Sequence, residues 1–255
     1  MKKVVILIFL LAFIQTLTAQ NTVFEEKRTI YKKEESFGAI VHTRGWGMTY
    51  RYGKYTSGFT RKIYDVDFVG MKHPKEIKSF TSAFDNSNGY VFGQLNSIMI
   101  LRTGVGRQNT FVSKQSVRGI SISSILSGGL SLAYGKPVYL EVIKVDPLTS
   151  ELSMEVERYD PEVHFQGNIL GKASYFRGFF NGKLYPGVFA KYALSFESSR
   201  QANRINALEV GTILDVYVQK ISMMANDFNK RYFFNLYVSL TFGAKKTIKD
   251  IGKSK

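Results

Sequence analysis

The sequence predicts an all-β protein, a closed antiparallel up-and-down transmembrane β-barrel of about eight strands with a polar, filled lumen. Three observations predict it. Apolar and polar residues alternate with period two in segment after segment beyond residue 36, the polar positions carry carboxylates, and aromatic residues recur near the segment ends.

The amino terminus comes first. Lys2 and Lys3 precede an uncharged apolar run over 4–14, and Thr16, Thr18 and Ala19 follow. That order is the signature of a secretory signal cleaved after Ala19, although Leu17 is bulkier than the cleavage site prefers. The run is shorter than the roughly 20 residues of a membrane-spanning helix, which argues against a retained anchor. The expected division is a signal peptide over 1–19, an N-terminal periplasmic segment over 20–36, an outer-membrane barrel over 37–244 and a basic tail over 245–255.

Charge and cysteine content restrict the function classes. The formal net charge is +15, or +13 once Lys2 and Lys3 leave with the signal. An exported chain does not meet nucleic acid, so the partners expected for this basicity are outer-membrane lipids and lipopolysaccharide, alongside protein partners in an envelope complex. There is no cysteine, which excludes both disulfides and a lipid-anchored amino-terminal cysteine.

The strands are expected near 37–53, 58–70, 89–106, 117–134, 137–145, 184–199, 205–222 and 231–244. In the last, Phe234, Leu236, Val238, Leu240 and Phe242 alternate with Asn235, Tyr237, Ser239 and Thr241. In 205–222, Leu208, Val210, Leu214, Val216 and Val218 oppose Glu209, Asp215 and Gln219, and in 58–70, Tyr64, Val66 and Phe68 oppose Asp65 and Asp67. Segment 137–145 opens with Pro137 and sets Val138, Leu140 and Val142 against Tyr139 and Glu141. Segment 119–135 also admits a helical reading, but five serines and four glycines favour a strand. Segment 89–106 is mixed on both faces. In 37–53, Trp46, Met48, Tyr50 and Tyr52 share a parity with His42 and Arg44, a conflict that a bulge at Gly45 or Gly47, or an interfacial depth for Arg44, would resolve.

An even strand count puts both chain ends on the periplasmic side. The connections near 53–58, 107–116, 146–183 and 223–230 then face outward and 71–88 inward. A soluble lipocalin-like barrel would show the same alternation with its faces inverted, and the sequence leaves that alternative open.

The residues also carry a resemblance. The terminal strand Asn235-Leu-Tyr-Val-Ser-Leu-Thr-Phe242 is similar to the signal read by barrel-assembly machinery. Together with Gly45-Trp-Gly47, Asp67-Phe-Val-Gly-Met-Lys-His-Pro-Lys-Glu76, Leu208-Glu-Val-Gly211 and the Ala19-Gln20 junction, it resembles uncharacterised outer-membrane β-barrel proteins of the Bacteroidota. The basic tail beyond Phe242 departs from the pattern. The resemblance implies a fold and a location and brings no catalytic residues.

For chemistry, a lumen charge network is expected from Asp65, Asp67, Glu141, Lys191, Glu197, Glu209 and Asp215, paired through Arg51, Arg61 or Arg102. Candidates for headgroup binding are Lys54, Arg61, Lys62, Arg107, Lys114 and Arg118, with Lys230 and Arg231. No Gly-x-Ser-x-Gly elbow is present and no cluster has metal-ligand spacing, so no catalytic residue, metal or cofactor is expected. Of His42, His73 and His164, only His42 beside a lumen acid suggests a base. The expected role is a non-enzymatic envelope protein; a lipid-modifying enzyme and a narrow passive pore are the alternatives.

Overall fold

The computed structural model describes residues 31–80, 88–113, 119–145, 152–198, 201, 203–225 and 229–247. The expected signal peptide, Lys114, Arg118 and the end of the basic tail lie outside the described residues. The strands are β1 (Tyr31–His42), β2 (Gly45–Tyr55), β3 (Thr60–Met71), β4 (Lys78–Ser79), β5 (Tyr90–Val91), β6 (Asn96–Val112), β7 (Ser121–Pro137), β8 (Tyr139–Val145), β9 (Leu152–Arg158), β10 (Ile169–Lys172), β11 (Lys183–Glu197), β12 (Arg204–Tyr217) and β13 (Tyr232–Thr247).

Eight of these close a barrel in the order β1-β13-β12-β11-β7-β6-β3-β2. β8, β9 and β10 form a separate three-stranded sheet, and β4 pairs with β5. A row of paired residues followed from Lys246 through Lys33, Lys54, Lys62, Arg107, Leu126, Tyr192 and Thr212 returns to β13 at Leu236. The stagger is ten residues, from 246 to 236. A stagger of this kind goes with strands tilted by about 40° to the barrel axis.

Alternation decides which way each side chain points. Along β13 the apolar set Phe234, Leu236, Val238, Leu240 and Phe242 is exposed, and Asn235, Tyr237, Ser239 and Thr241 are buried in the lumen. The same division holds round the wall, with Trp46, Leu126 and Leu130 outside and Asp67, Arg102 and Asp215 wholly buried within. Apolar outside and charged inside is the reverse of a lipocalin-like barrel.

The strand count is as the sequence predicts, but two assignments differ and compensate each other. Segment 37–53 is two strands: His42 pairs with Gly45, and the chain reverses at Thr43 and Arg44. That reversal, rather than a bulge, resolves the parity conflict, because it puts His42 in the lumen while Trp46 points outward. Segment 137–145 is not a wall strand. The chain leaves the barrel at Pro137, which lacks the N–H needed to continue the ladder. It continues through Val138 into β8, and Val138 together with Leu140 and Val142 of β8 is buried with Tyr90, Tyr159 and Ile169 in a second small core.

The extra reversal inverts the expected sidedness of the first half of the chain. The connections after β2, β6 and β11 lie at the end where β1 starts and β13 stops. The connections carrying β4 to β5, carrying β8 to β10, and joining β12 to β13 lie at the far end. The 71–88 connection is therefore on the long-loop end, and 53–58 and 107–116 are on the end with the termini. Among the described residues the wall strands extend from Tyr31 to Thr247, beyond the expected bounds 37–244.

The lumen is filled in two layers. Toward the far end, Val69, Met71, Ile98, Ile100 and Phe233 form an apolar cluster. The β12–β13 connection folds onto it, burying Ile221, Met223 and Met224. Leu95 and Asn96 N–H groups donate to the Met223 carbonyl at 2.9 and 3.3 Å, fixing this plug to the rim. The apolar layer explains why 89–106 looks mixed: Ile98 and Ile100 share the lumen face with Arg102.

Candidate functional site

The charged layer lies below the plug and is assembled from inward positions of β1, β2, β3, β6, β7, β11, β12 and β13. At its centre the Arg51 guanidinium donates through Nε to Asp65 at 2.6 Å and through two nitrogens to Glu209, the Nη2 bond being 3.3 Å. Lys191 Nζ donates to Asp67 Oδ2 at 2.8 Å and lies 3.7 Å from Asp65 Oδ2. Hydroxyls satisfy remaining carboxylate lone pairs: Thr49 donates to Asp67 at 2.6 Å and Ser127 to Asp65 at 3.0 Å. Nearer the plug, Arg102 makes a two-pronged contact with Asp215, which also accepts from Ser131 at 3.1 Å. Toward the termini, Arg61 pairs with Glu34, Tyr55 donates to Glu34 at 2.9 Å, and Lys245 donates to Glu197 at 2.6 Å.

Six of the seven expected lumen charges are thus brought together: Asp65, Asp67, Lys191, Glu197, Glu209 and Asp215. Glu141 is not among them, since it sits half-buried on β8 of the outer sheet. Arg61 is a lumen ion-pair partner, 6% exposed, and not a headgroup ligand. Lys54, Lys62 and Arg107 are exposed on the outside of the wall. Glu34 lies ahead of the expected strand start at Phe37; it shares the parity of Ser36, Ile40 and His42, which is the sequence signal that marks it as inward.

Such pairing satisfies charge that burial would otherwise penalise by several kcal/mol per ion, and a bidentate arginine adds geometric definition. It leaves little room. The lower lumen contains a cavity of about 10 Å³ between Glu34, Arg51, Arg61, Glu197 and Glu209, about the volume a single water requires. Among the described residues, four buried polar atoms lack a partner, namely Arg102 Nη1, Asn235 Nδ2, the Tyr237 hydroxyl and Ser239 Oγ.

The histidines are all engaged in local structure. His42 Nε2 donates to the Gly70 carbonyl at 3.2 Å, and its Nδ1 accepts from the Arg44 N–H at 3.3 Å. Both nitrogens are occupied by backbone groups, so the expected pairing with a lumen acid is not made. His73 and His164 lie in far-end connections. His73 Nδ1 accepts from Lys75 N–H at 3.2 Å; its pKa is lowered by partial burial and by the charges of Arg44, Lys75 and Lys230. His164 Nδ1 accepts from Asp160 N–H at 2.9 Å, Nε2 meets Glu157 at 3.1 Å, and the ring stacks on Tyr159. Lys144 also bonds Glu157, and these two partners hold its carboxyl below the usual range.

No family model and no curated protein matches the sequence. Among solved structures the chain is similar to Neisserial surface protein A (NspA), at 11% identity over 85% of this chain and 96% of that chain, with a TM-score of 0.40. It is also similar to Ail, the attachment invasion locus protein of Yersinia pestis, at 6% identity over 85% of this chain and 100% of that chain, with a TM-score of 0.41.

Proposed function

We propose that this chain is an integral outer-membrane protein with a closed lumen and a non-enzymatic role in the envelope, exported by a cleaved signal and of the Bacteroidota type its sequence resembles. One observation carries the reading: the middle band of the outer wall is apolar while the charged residues at its level, Asp65, Asp67, Arg102, Lys191, Glu209 and Asp215, are turned inward. In water this arrangement would expose leucines and phenylalanines and bury arginines; in a bilayer both faces are satisfied. The distribution of connections supports the same orientation, with both termini at one end and, apart from the tight reversal at Thr43 and Arg44, the long connections at the other.

The far end supplies a contact surface for lipopolysaccharide or a protein partner. Leu152 and Met154 of β9 and Phe176 and Phe180 of the connection between β10 and β11 are exposed there. Tyr134, on the outer wall of β7, donates to the Phe179 carbonyl, and the Tyr175 hydroxyl reaches the Met99 sulfur at 3.7 Å, so this aromatic connection lies against the wall. The paired lumen and the Ile221–Met223–Met224 plug favour a structural role over a passive pore.

The test is fractionation of the mature chain expressed in a Gram-negative host. Recovery in the outer membrane, resistant to alkaline extraction and released by detergent, is expected. A protein freely dissolved in the periplasm would overturn the proposal.

A further inference from the structure

The outer wall is not uniformly apolar near the termini. Lys246 of β13, Lys33 of β1, Lys54 of β2, Lys62 of β3 and Arg107 of β6 are consecutive partners in one cross-strand row, and all five point outward. Partners in a row have Cα atoms about 5 Å apart, and like charges placed directly opposite destabilise a sheet in water. Lys246 is answered by Glu35 at 3.0 Å. Lys33, Lys54, Lys62 and Arg107 have no carboxylate partner among the described residues.

The rows above follow in order of polarity. The next outward row is Ala244, Glu35, Tyr52, Tyr64 and Val105, and the one after it is Phe242, Phe37, Tyr50, Val66 and Thr103. Cations, then tyrosines, then hydrocarbon is the sequence of environments met on entering a bilayer from its headgroups. Lys62 lies over the Tyr64 ring at 5.4 Å, and Tyr52 and Tyr64 are 6.1 Å apart. Round the other side of the barrel the row continues as Leu126, Tyr192, Thr212 and Leu236, without charge. With strands tilted by about 40°, the charged part climbs roughly 12 Å from Lys246 to Arg107. Long lysine and arginine stems bring the heads back toward the polar layer.

We infer that this strip binds the phosphates of anionic glycerophospholipids in the periplasmic leaflet, on the side of the barrel formed by β13, β1, β2, β3 and β6. The inference rests on the membrane reading above. The strip stands at the end with short turns and both termini, the periplasmic end in that orientation, which selects glycerophospholipid over lipopolysaccharide as the phosphate source.

Native mass spectrometry of the full mature chain, released from vesicles containing equal phosphatidylethanolamine and phosphatidylglycerol, tests it. Wild type is expected to retain phosphatidylglycerol preferentially. The triple variant Lys54→Gln, Lys62→Gln, Arg107→Gln should lose about fivefold of that preference per cation. Lys72→Gln, Lys78→Gln, Lys183→Gln removes equal charge from the far end and should leave it unchanged. If the first triple variant does not insert, the single Lys62→Gln should show the smaller loss. Equal retention by wild type and the Lys54, Lys62, Arg107 variant in inserted barrels would overturn the inference, as would preferential retention of added lipopolysaccharide through these residues. Failure of wild type to insert at all would instead sink the membrane reading.

Discussion

Arg102 and Asp215 meet side by side across the lumen, Nε donating to Oδ1 at 2.7 Å and Nη2 to Oδ2 at 2.8 Å. The two residues are 113 positions apart, and both side chains are sealed from solvent. The pair therefore forms only when β6 and β12 have taken their places in the closed wall.

Asp215→Ala leaves the buried guanidinium of Arg102 without a counter-charge and should destabilise the barrel by about 3–5 kcal/mol. A lower urea midpoint for unfolding from lipid vesicles would register the loss. The double replacement Arg102→Met with Asp215→Leu removes both charges and fills the space, so most of the stability should return. Equal losses in the two variants would show that pairing is not what the site requires.

A charge on the outer wall should be penalised by depth. Leu130→Arg, in the middle of β7, is expected to cost about 2–4 kcal/mol of insertion free energy. Phe180→Arg, on the exposed far-end connection, should cost less than about 0.5 kcal/mol. Vesicle-folding titrations compare the two directly, and a similar cost at both positions would contradict a lipid-facing wall.

Planar-bilayer recordings should remain silent for wild type. They should also stay silent for Met223→Gly, because loosening the plug leaves the ion pairs of Arg51, Lys191 and Arg102 in place beneath it. Steady unit conductance from either protein would revive the pore reading.

The outer sheet should loosen in acid. Glu157 bonds Lys144 and His164, and its folded-state pKa is depressed below the ordinary 4.5. Its contribution is therefore present above pH 4.5 and lost as pH falls through the depressed value. Hydrogen exchange along β8 and β9 should accelerate in that window for wild type, and Glu157→Gln should flatten the dependence.

Much of the wall was legible because its outer face and its lumen carry opposite chemistry on alternate residues, as Phe234 to Phe242 display. What was hidden was whatever lacks a local signature. The reversal at Thr43 and Arg44 has no Asn-Gly or Asp-Gly pair to announce it. Val138, Leu140 and Val142 alternate like wall residues but are buried in a second core, a distinction of tertiary packing that period two cannot register. Arg61 satisfied two expectations at once, lumen partner and headgroup ligand, and only the strand phase set by Asp65 and Asp67 separates them. The plug was invisible because Met223 and Met224 sit in no periodic segment, and their burial depends on strands distant in sequence.

The seam between β1 and β13 joins the beginning and the end of the described chain, with Phe37 facing Phe242 and Val41 facing Val238. Until the last strand arrives, both flanks of the nascent curtain display unpaired amides and carbonyls beside a greasy surface. The wall therefore closes only when its last strand has arrived to pair with its first. Truncation at Phe234 is thus expected to yield aggregate rather than a seven-stranded survivor.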